Sequence, residues 1–209
     1  MSKVYIYVVA RDFGFAPNPF HGYCTLATCK PKIRNKAQVD DWVIGMGGTR
    51  LKATGRCIYA MRITDKTTFN NYWEDPIFLD KKPVRNGSRK MMVGDNIYHF
   101  DTQANEWRQA DSHHSHDDGS PNPKNVSTDT KSEHVLISKQ FFYFGEKAPL
   151  VPSSLLNSIG YSNNRNHRVF EPRTANILVE WININFRDSL NQVVGDPFDF
   201  GSSEKRYSP

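Results

Sequence analysis

A chain of 209 residues that is 38 % hydrophobic and 12 % aromatic can bury a core without staples. That core must lean on Phe, Tyr and Trp, which favours a β-rich or α+β domain over a bundle of aliphatic helices. Lysine and arginine exceed aspartate and glutamate by 27 to 22, a formal charge of +5, which permits a phosphate-bearing partner but falls short of a dedicated duplex-DNA binder.

The three cysteines, Cys24, Cys29 and Cys57, are odd in number and lack the paired spacing of a structural zinc site. There is no signal peptide and no apolar run of about 18 residues, so the reading is a reduced, soluble, cytoplasmic protein with no membrane partner.

Val4 to Ala10, VYIYVVA, is β-branched and aromatic, short enough for a strand and apolar enough to be central. Arg11 to Arg34, RDFGFAPNPFHGYCTLATCKPKIR, is different in kind. Asp12, Asn18 and His21 bring short polar groups, Phe13, Phe15 and Phe20 bring flat apolar faces, and Gly14, Pro17, Pro19 and Gly22 set an irregular path. Within it Tyr23 to Cys29 is strand-like until Pro31, and Lys30, Lys32 and Arg34 follow at alternating positions.

Trp42 to Gly45 is a strand ending in Gly47-Gly48, and Arg56 to Ile63 is a longer one, so the two form a hairpin or a neighbouring pair. Thr67 to Trp73 predicts a short helix capped by Asp65 or Thr67, with Phe69, Tyr72 and Trp73 sharing a face that packs on a sheet. Lys81 to Lys90 is basic, irregular and exposed, and Ile97 to Phe100 is another short strand. From 102 to 132 polar residues dominate, which predicts a mobile loop. Its run His113-His114-Ser115-His116-Asp117-Asp118 carries metal-capable groups without evident scaffolding, and reads as solvated rather than as a metal site.

His134 to Ser138 resumes as a strand, followed by Phe141 to Phe144, four aromatics divided between core and pocket wall. Pro152 to Ile159 predicts a short helix, and Asn163 to Arg168 a polar loop. Ala175 to Phe186 predicts a C-terminal helix through Leu178, Trp181, Ile182 and Phe186, with a strand as the alternative, before an extended tail over 196–209.

Four chemistries fit these residues. Gly45-Met46-Gly47-Gly48-Thr49, backed by Arg50 and Lys52, matches neither the P-loop nor the dinucleotide fingerprint and reads as a tight basic turn that can meet phosphate. His21 beside Cys24 or Cys29 has the types for nucleophilic catalysis. The two cysteines lie an odd number of positions apart, so at most one meets His21, and buried inert thiols are the plainer reading. Asp12 with His21 has the types for acid–base work, and equally for loop capping. Recognition of a flipped or single base uses the most of these residues: Phe13, Phe15 or Phe20 stack, Asn18 and Asp12 bond the base edge, and Lys30, Lys32 and Arg34 meet phosphate.

The run VVARDFGFAPNPFHGYCTLATCKPKIR, continued by DDWVIGMGG, GRCIYAMRITDKTTFNNYW and HVLISKQFFYFG, resembles the second of the nucleotide modification associated domains, found in bacteria and phages. The likeness covers about residues 3–190 and is weakest in the His-rich segment. It implies association with modification of DNA bases or nucleotides, as an enzyme, accessory factor or reader, and brings no catalytic set. The strand-Gly-strand order around Trp42 to Ile63 is also similar in architecture to the small PUA and EVE barrels, which bind modified bases or RNA.

The expected fold is therefore α+β: a bent or barrel-like mixed sheet of the PUA/EVE kind with a few short helices and a C-terminal helix, in one globular domain over 1–195. The expected function is recognition of a modified nucleotide or base in nucleic acid, in a nucleotide-modification or phage-defence setting. Asp12, Asn18 and His21 contact the base, Phe13 and Phe15 stack, and Lys32, Arg34 and Arg50 meet phosphate, with no cofactor and no metal. The alternatives are a nucleotide- or base-modifying enzyme with Asp12 and His21 as acid–base pair and Cys24 as nucleophile, and a scaffold docking a protein partner through Phe141 to Phe144.

Overall fold

A computed structural model describes residues 2–164 and 166–207. The strands in chain order are β1 (Val4–Val9), β2 (Cys24–Leu26), β3 (Trp42–Gly47), β4 (Cys57–Arg62), β5 (Asp65–Thr68), β6 (Tyr98–Asp101), β7 (Glu106–Gln109), β8 (His134–Ser138), β9 (Gln140–Tyr143) and β10 (His167–Phe170). The α-helices are α1 (Pro31–Lys36), α2 (Phe69–Glu74), α3 (Arg89–Met92), α4 (Pro123–Asp129), α5 (Ser153–Ser158) and α6 (Pro172–Asn185). None of them is long and apolar enough to cross a membrane. The chain divides into two compact units, each built from three separate stretches.

The first unit comprises 1–12, 37–64 and 138–198. It carries an open five-stranded sheet in the order β10-β1-β3-β4-β9, with β1 and β3 parallel and the other pairs antiparallel. The antiparallel β3–β4 pair is the one that their spacing predicts. All but two residues of β1, β3 and β4 are buried, so their near-continuous apolar runs are explained by cover on both faces rather than by alternation. Helix α6 opens at Pro172 and buries Ala175, Leu178, Val179 and Ile182, resolving the helix-or-strand ambiguity of that stretch.

A Cβ added at Gly47 would fall 2.3 Å from the Ala53 carbonyl oxygen, and backbone cannot step aside as a flexible side chain can. Gly47→Ala is expected to cost about 1–3 kcal/mol, read as a lower urea midpoint; an unchanged midpoint would mean that the strand end shifts freely.

Phe141, Phe142, Tyr143 and Phe144 are each no more than 2 % exposed. Phe142 stacks on Phe144, which meets Phe186 edge-on at 4.8 Å, while Tyr143 donates its hydroxyl to Asp12. The docking patch expected there is thus not at the surface: both sides of the strand are covered.

The second unit comprises 13–36, 65–137 and 199–209. It holds the three-stranded sheet β2-β8-β5, the hairpin β6–β7 and helices α1 to α4. None of the sheets closes on itself among the described residues, so the α+β class holds without the barrel. Its core gathers Phe13, Phe15, Phe20, Phe69, Tyr72, Phe78, Ile97, Tyr98, Val135 and Phe200. The face of α2 predicted to be core is core at Phe69 and Tyr72, and the helix is capped by Thr68, whose hydroxyl accepts from Asn71 N.

The basic stretch after residue 80 is not wholly exposed. Lys81 is 1 % exposed, and its Nζ donates to Asn18 O, Asn18 Oδ1, Tyr23 O and Thr25 Oγ1 at 2.8–3.2 Å. Burial pushes its ammonium down to about 8, partly offset by Asp95.

The segment 102–132 departs most from expectation. Instead of a mobile loop it contains β7, a tight turn and α4, with Ser112, His113, His114, Ser115, Asn122, Asn125 and Asp129 all buried. Few apolar side chains are needed because the polar ones satisfy one another: Asn122 caps α4 by accepting from Lys124 N and Asn125 N, and Gln109 Oε1 accepts from Asn122 N. The expected tail is tied down as well. Phe200 enters the core, His113 Nδ1 meets Lys205 O at 2.6 Å, and Asn125 Nδ2 donates to Tyr207 O at 2.7 Å; positions 208–209 lie outside the described residues.

Candidate functional site

The structure scatters the residues singled out by the sequence into different roles. Asp12 belongs to the first unit, is 3 % exposed and accepts from Tyr143 Oη at 2.5 Å and Phe198 N at 3.3 Å. The others, Arg50 excepted, belong to the second unit. Phe13 and Phe15 are buried with ring centroids 4.4 and 5.2 Å from His113, and Phe15 is 4.7 Å from His114. Asn18 is fully buried and its amide is committed to Val93 O, Phe20 N and Lys81 Nζ. Cys24 is fully buried and desolvation pushes its thiol far up, which suits an inert sulfur.

His21 and Lys32 are exposed, as is Arg50 in the first unit, where it donates to Ala10 O at 3.1 Å. Arg34 is fully buried: Nε donates to Cys29 O, Nη1 to Ser132 O and His134 O, and Nη2 to Asp129 O, all at 2.5–2.8 Å. A guanidinium enclosed by main-chain carbonyls has no face to offer a phosphate.

What Arg34 does is hold a different constellation in place. After β2 the chain turns through Cys29 and Lys30, which adopt φ 56° and 39°, before α1 begins at Pro31. Two successive non-glycine residues in the left-handed region cost about 1–2 kcal/mol each, so their surroundings must over-determine the turn. Arg34 Nε fixes the Cys29 carbonyl, and Asp129 Oδ1 accepts the Cys29 N–H at 2.7 Å.

Asp129 is the last residue of α4 and is 1 % exposed. Its other oxygen accepts from Tyr98 Oη at 3.0 Å and meets His114 Nδ1 at 2.8 Å. The opposite ring nitrogen, His114 Nε2, lies 3.8 Å from Cys29 Sγ. The His114 main chain is held in turn, its carbonyl accepting from Gln109 Nε2 at 3.2 Å and Asn125 Nδ2 at 2.8 Å.

The imidazole therefore meets the sulfur through one nitrogen and the carboxylate through the other, in a compact cluster where a carboxylate oxygen also lies within 4.8 Å of the sulfur. Burial disfavours a charged ring, but it is outweighed by the Cys29 sulfur and the Asp129 carboxylate, so His114 is pushed up to about 10. His114 is then an imidazolium at neutral pH, donating from Nδ1 to Asp129 and from Nε2 toward the sulfur. Cys29, unlike Cys24 and Cys57, is only half-buried. Lys30 interacts electrostatically with the sulfur, and desolvation lowers its ammonium. Thr28, one residue before Cys29, is fully buried, and its Oγ1 has no hydrogen-bond partner.

The order sulfur–imidazole–carboxylate is that of thiol catalysts, in which the ring passes a proton and the acid fixes its orientation. The same three side chains offer S, N and O atoms within 4.8 Å of one another, so a soft divalent ion is the competing use. The relay uses both ring nitrogens, one facing the sulfur and the other bonded to the carboxylate.

Sequence reasoning weighed Cys29 but matched it with His21, and missed His114 and Asp129 as its partners. The available signal was Asn122-Pro123, a cap followed by a first-turn proline, which announces a helix inside the polar segment and ends it at Asp129.

A family model described as nucleotide modification associated domain 2 matches residues 1–204. No curated protein and no solved structure matches the chain.

Proposed function

Because the chain belongs to the family of nucleotide modification associated domain 2, we propose that it is a cytoplasmic enzyme that modifies a nucleotide or base, with Cys29 as nucleophile, His114 as the proton carrier and Asp129 as the group that orients the ring. The observation that carries this reading is the Cys29–His114–Asp129 set, in which a half-buried cysteine meets one nitrogen of a buried imidazole whose other nitrogen meets a buried carboxylate. Family membership supplies the setting, nucleotide modification, and the site supplies the chemistry. This moves the acid–base role away from Asp12, whose oxygens accept from Tyr143 and Phe198, and the nucleophile away from the buried Cys24.

The test is incubation of the protein with a panel of nucleotides and of single- and double-stranded DNA, followed by mass spectrometry of the nucleosides. A product that accumulates with time in the wild type and is lost in Cys29→Ser is expected. Undiminished accumulation in Cys29→Ser would remove the thiol from the mechanism.

A second reading is recognition of a modified nucleotide or base in nucleic acid without turnover, in a phage-defence setting. It draws on the exposed His21 and Lys32 that flank the Cys29 turn in sequence, and on Arg50 in the first unit. Saturable binding by both proteins, with no product from either, would favour it.

A further inference from the structure

Resting on the reading of Cys29 as nucleophile, we infer that the reaction is acyl transfer: Cys29 Sγ attacks the carbonyl carbon of an amide carried by the nucleotide, and His114 Nε2 hands its proton to the departing nitrogen. The inference follows from the position of the imidazole. A thiol that only adds to a base ring has no leaving group to protonate at its own side, whereas cleavage of an amide expels an amine, which cannot leave as an anion. Here the ring nitrogen that faces the sulfur, 3.8 Å away, is the one free of the carboxylate, and the carboxylate holds the opposite nitrogen at 2.8 Å. The donor is thus placed beside the bond-forming atom, where the leaving group must pass.

The step balances without an outside oxidant or reductant. The sulfur forms a bond to the carbonyl carbon as the C=O electron pair moves onto oxygen. Collapse of that intermediate breaks the C–N bond, and the nitrogen takes the Nε2 proton. The products are a Cys29 thioester and a free amine. Water, or a second amine, then adds to the thioester, returns a proton to Nε2 and expels the sulfur, giving a carboxylic acid or a new amide.

Acetate esters of phenols, ranging from 4-nitrophenol to unsubstituted phenol, test this on the full chain. Wild type should release one phenol per protein in a burst and carry one acetyl group on the Cys29 peptide, with a rate that falls only shallowly down the series because His114 protonates the poorer leaving groups. His114→Gln, which also loses the cation facing the sulfur, should slow the phenol end of the series about 100-fold more than the nitrophenyl end. Equal slowing across the series would make His114 merely structural and overturn the inference.

Iodoacetamide separates the two levels of the argument. Rapid alkylation of Cys29 without any acetyl adduct ends the acyl-transfer inference and leaves the nucleophile standing; a Cys29 inert to both reagents ends both. One equivalent of zinc in the purified protein, whose removal speeds alkylation, would assign the three side chains to a metal instead.

Discussion

Replacing Arg34 by methionine is expected to destabilise the protein by about 3–5 kcal/mol, because it leaves buried carbonyls without their donors. The side chain is fully buried, and its four hydrogen bonds reach Cys29, Asp129, Ser132 and His134, which come from two stretches of the second unit, 13–36 and 65–137. Its guanidinium also lies 5.2 Å from the Phe69 ring centroid, so methionine replaces the stem but neither the fork nor the cation.

Urea unfolding measures the loss, and Arg34→Lys, which keeps the charge but cannot span four carbonyls, should recover only a minor part. A loss below about 1 kcal/mol would contradict the account. The phosphate-contact role that the sequence suggests for Arg34 makes the opposite forecast, unchanged stability with weaker and less salt-dependent nucleotide binding. The same bonds predict a local consequence: without the hold on the Cys29 carbonyl, the left-handed turn relaxes and thiol alkylation loses its selectivity.

The elements that were legible in the sequence are those built by burial of consecutive apolar residues. VYIYVV, WVIGMG and CIYAMR are buried strands in a sheet, and the stretch around Leu178 and Ile182 is α6, because hydrophobic pattern and structure are there two views of one cause. The site was legible at one corner only. Cys29 was weighed beside Cys24 as a thiol for His21, with inert thiols the plainer reading, but its partners come from 85 and 100 positions away, and they lie in a segment whose order arises from polar satisfaction. Composition signals disorder when few apolar groups are present. It is blind to a network in which Ser112, Ser115, Gln109, Asn122 and Asn125 bond one another and the main chain. The same blindness explains Lys81 and Arg34, which read as surface charge and are enclosed by acceptors.

Asp129→Asn is expected to slow Cys29 acylation by phenyl acetate by up to about 100-fold while leaving the fold intact, no more than loss of His114 itself, since the acid acts through the ring that it orients. The amide keeps the shape and can still accept the Cys29 N–H, but it cannot both take the Tyr98 hydroxyl and hold a charged His114 Nδ1–H. The second readout is pH.

In the wild type His114 is raised from 6.5 to about 10. Its contribution to stability is therefore fully present below about pH 6.5 and fades as pH climbs through about 10, since the unfolded ring gives up its proton first. Urea midpoints taken between these limits should fall more steeply with pH for the wild type than for Asp129→Asn, in which the carboxylate that supports the charged ring is gone. Parallel curves would mean that His114 is neutral in the folded protein, and the ring would then have to act first as a base toward the thiol rather than as an acid toward the leaving group.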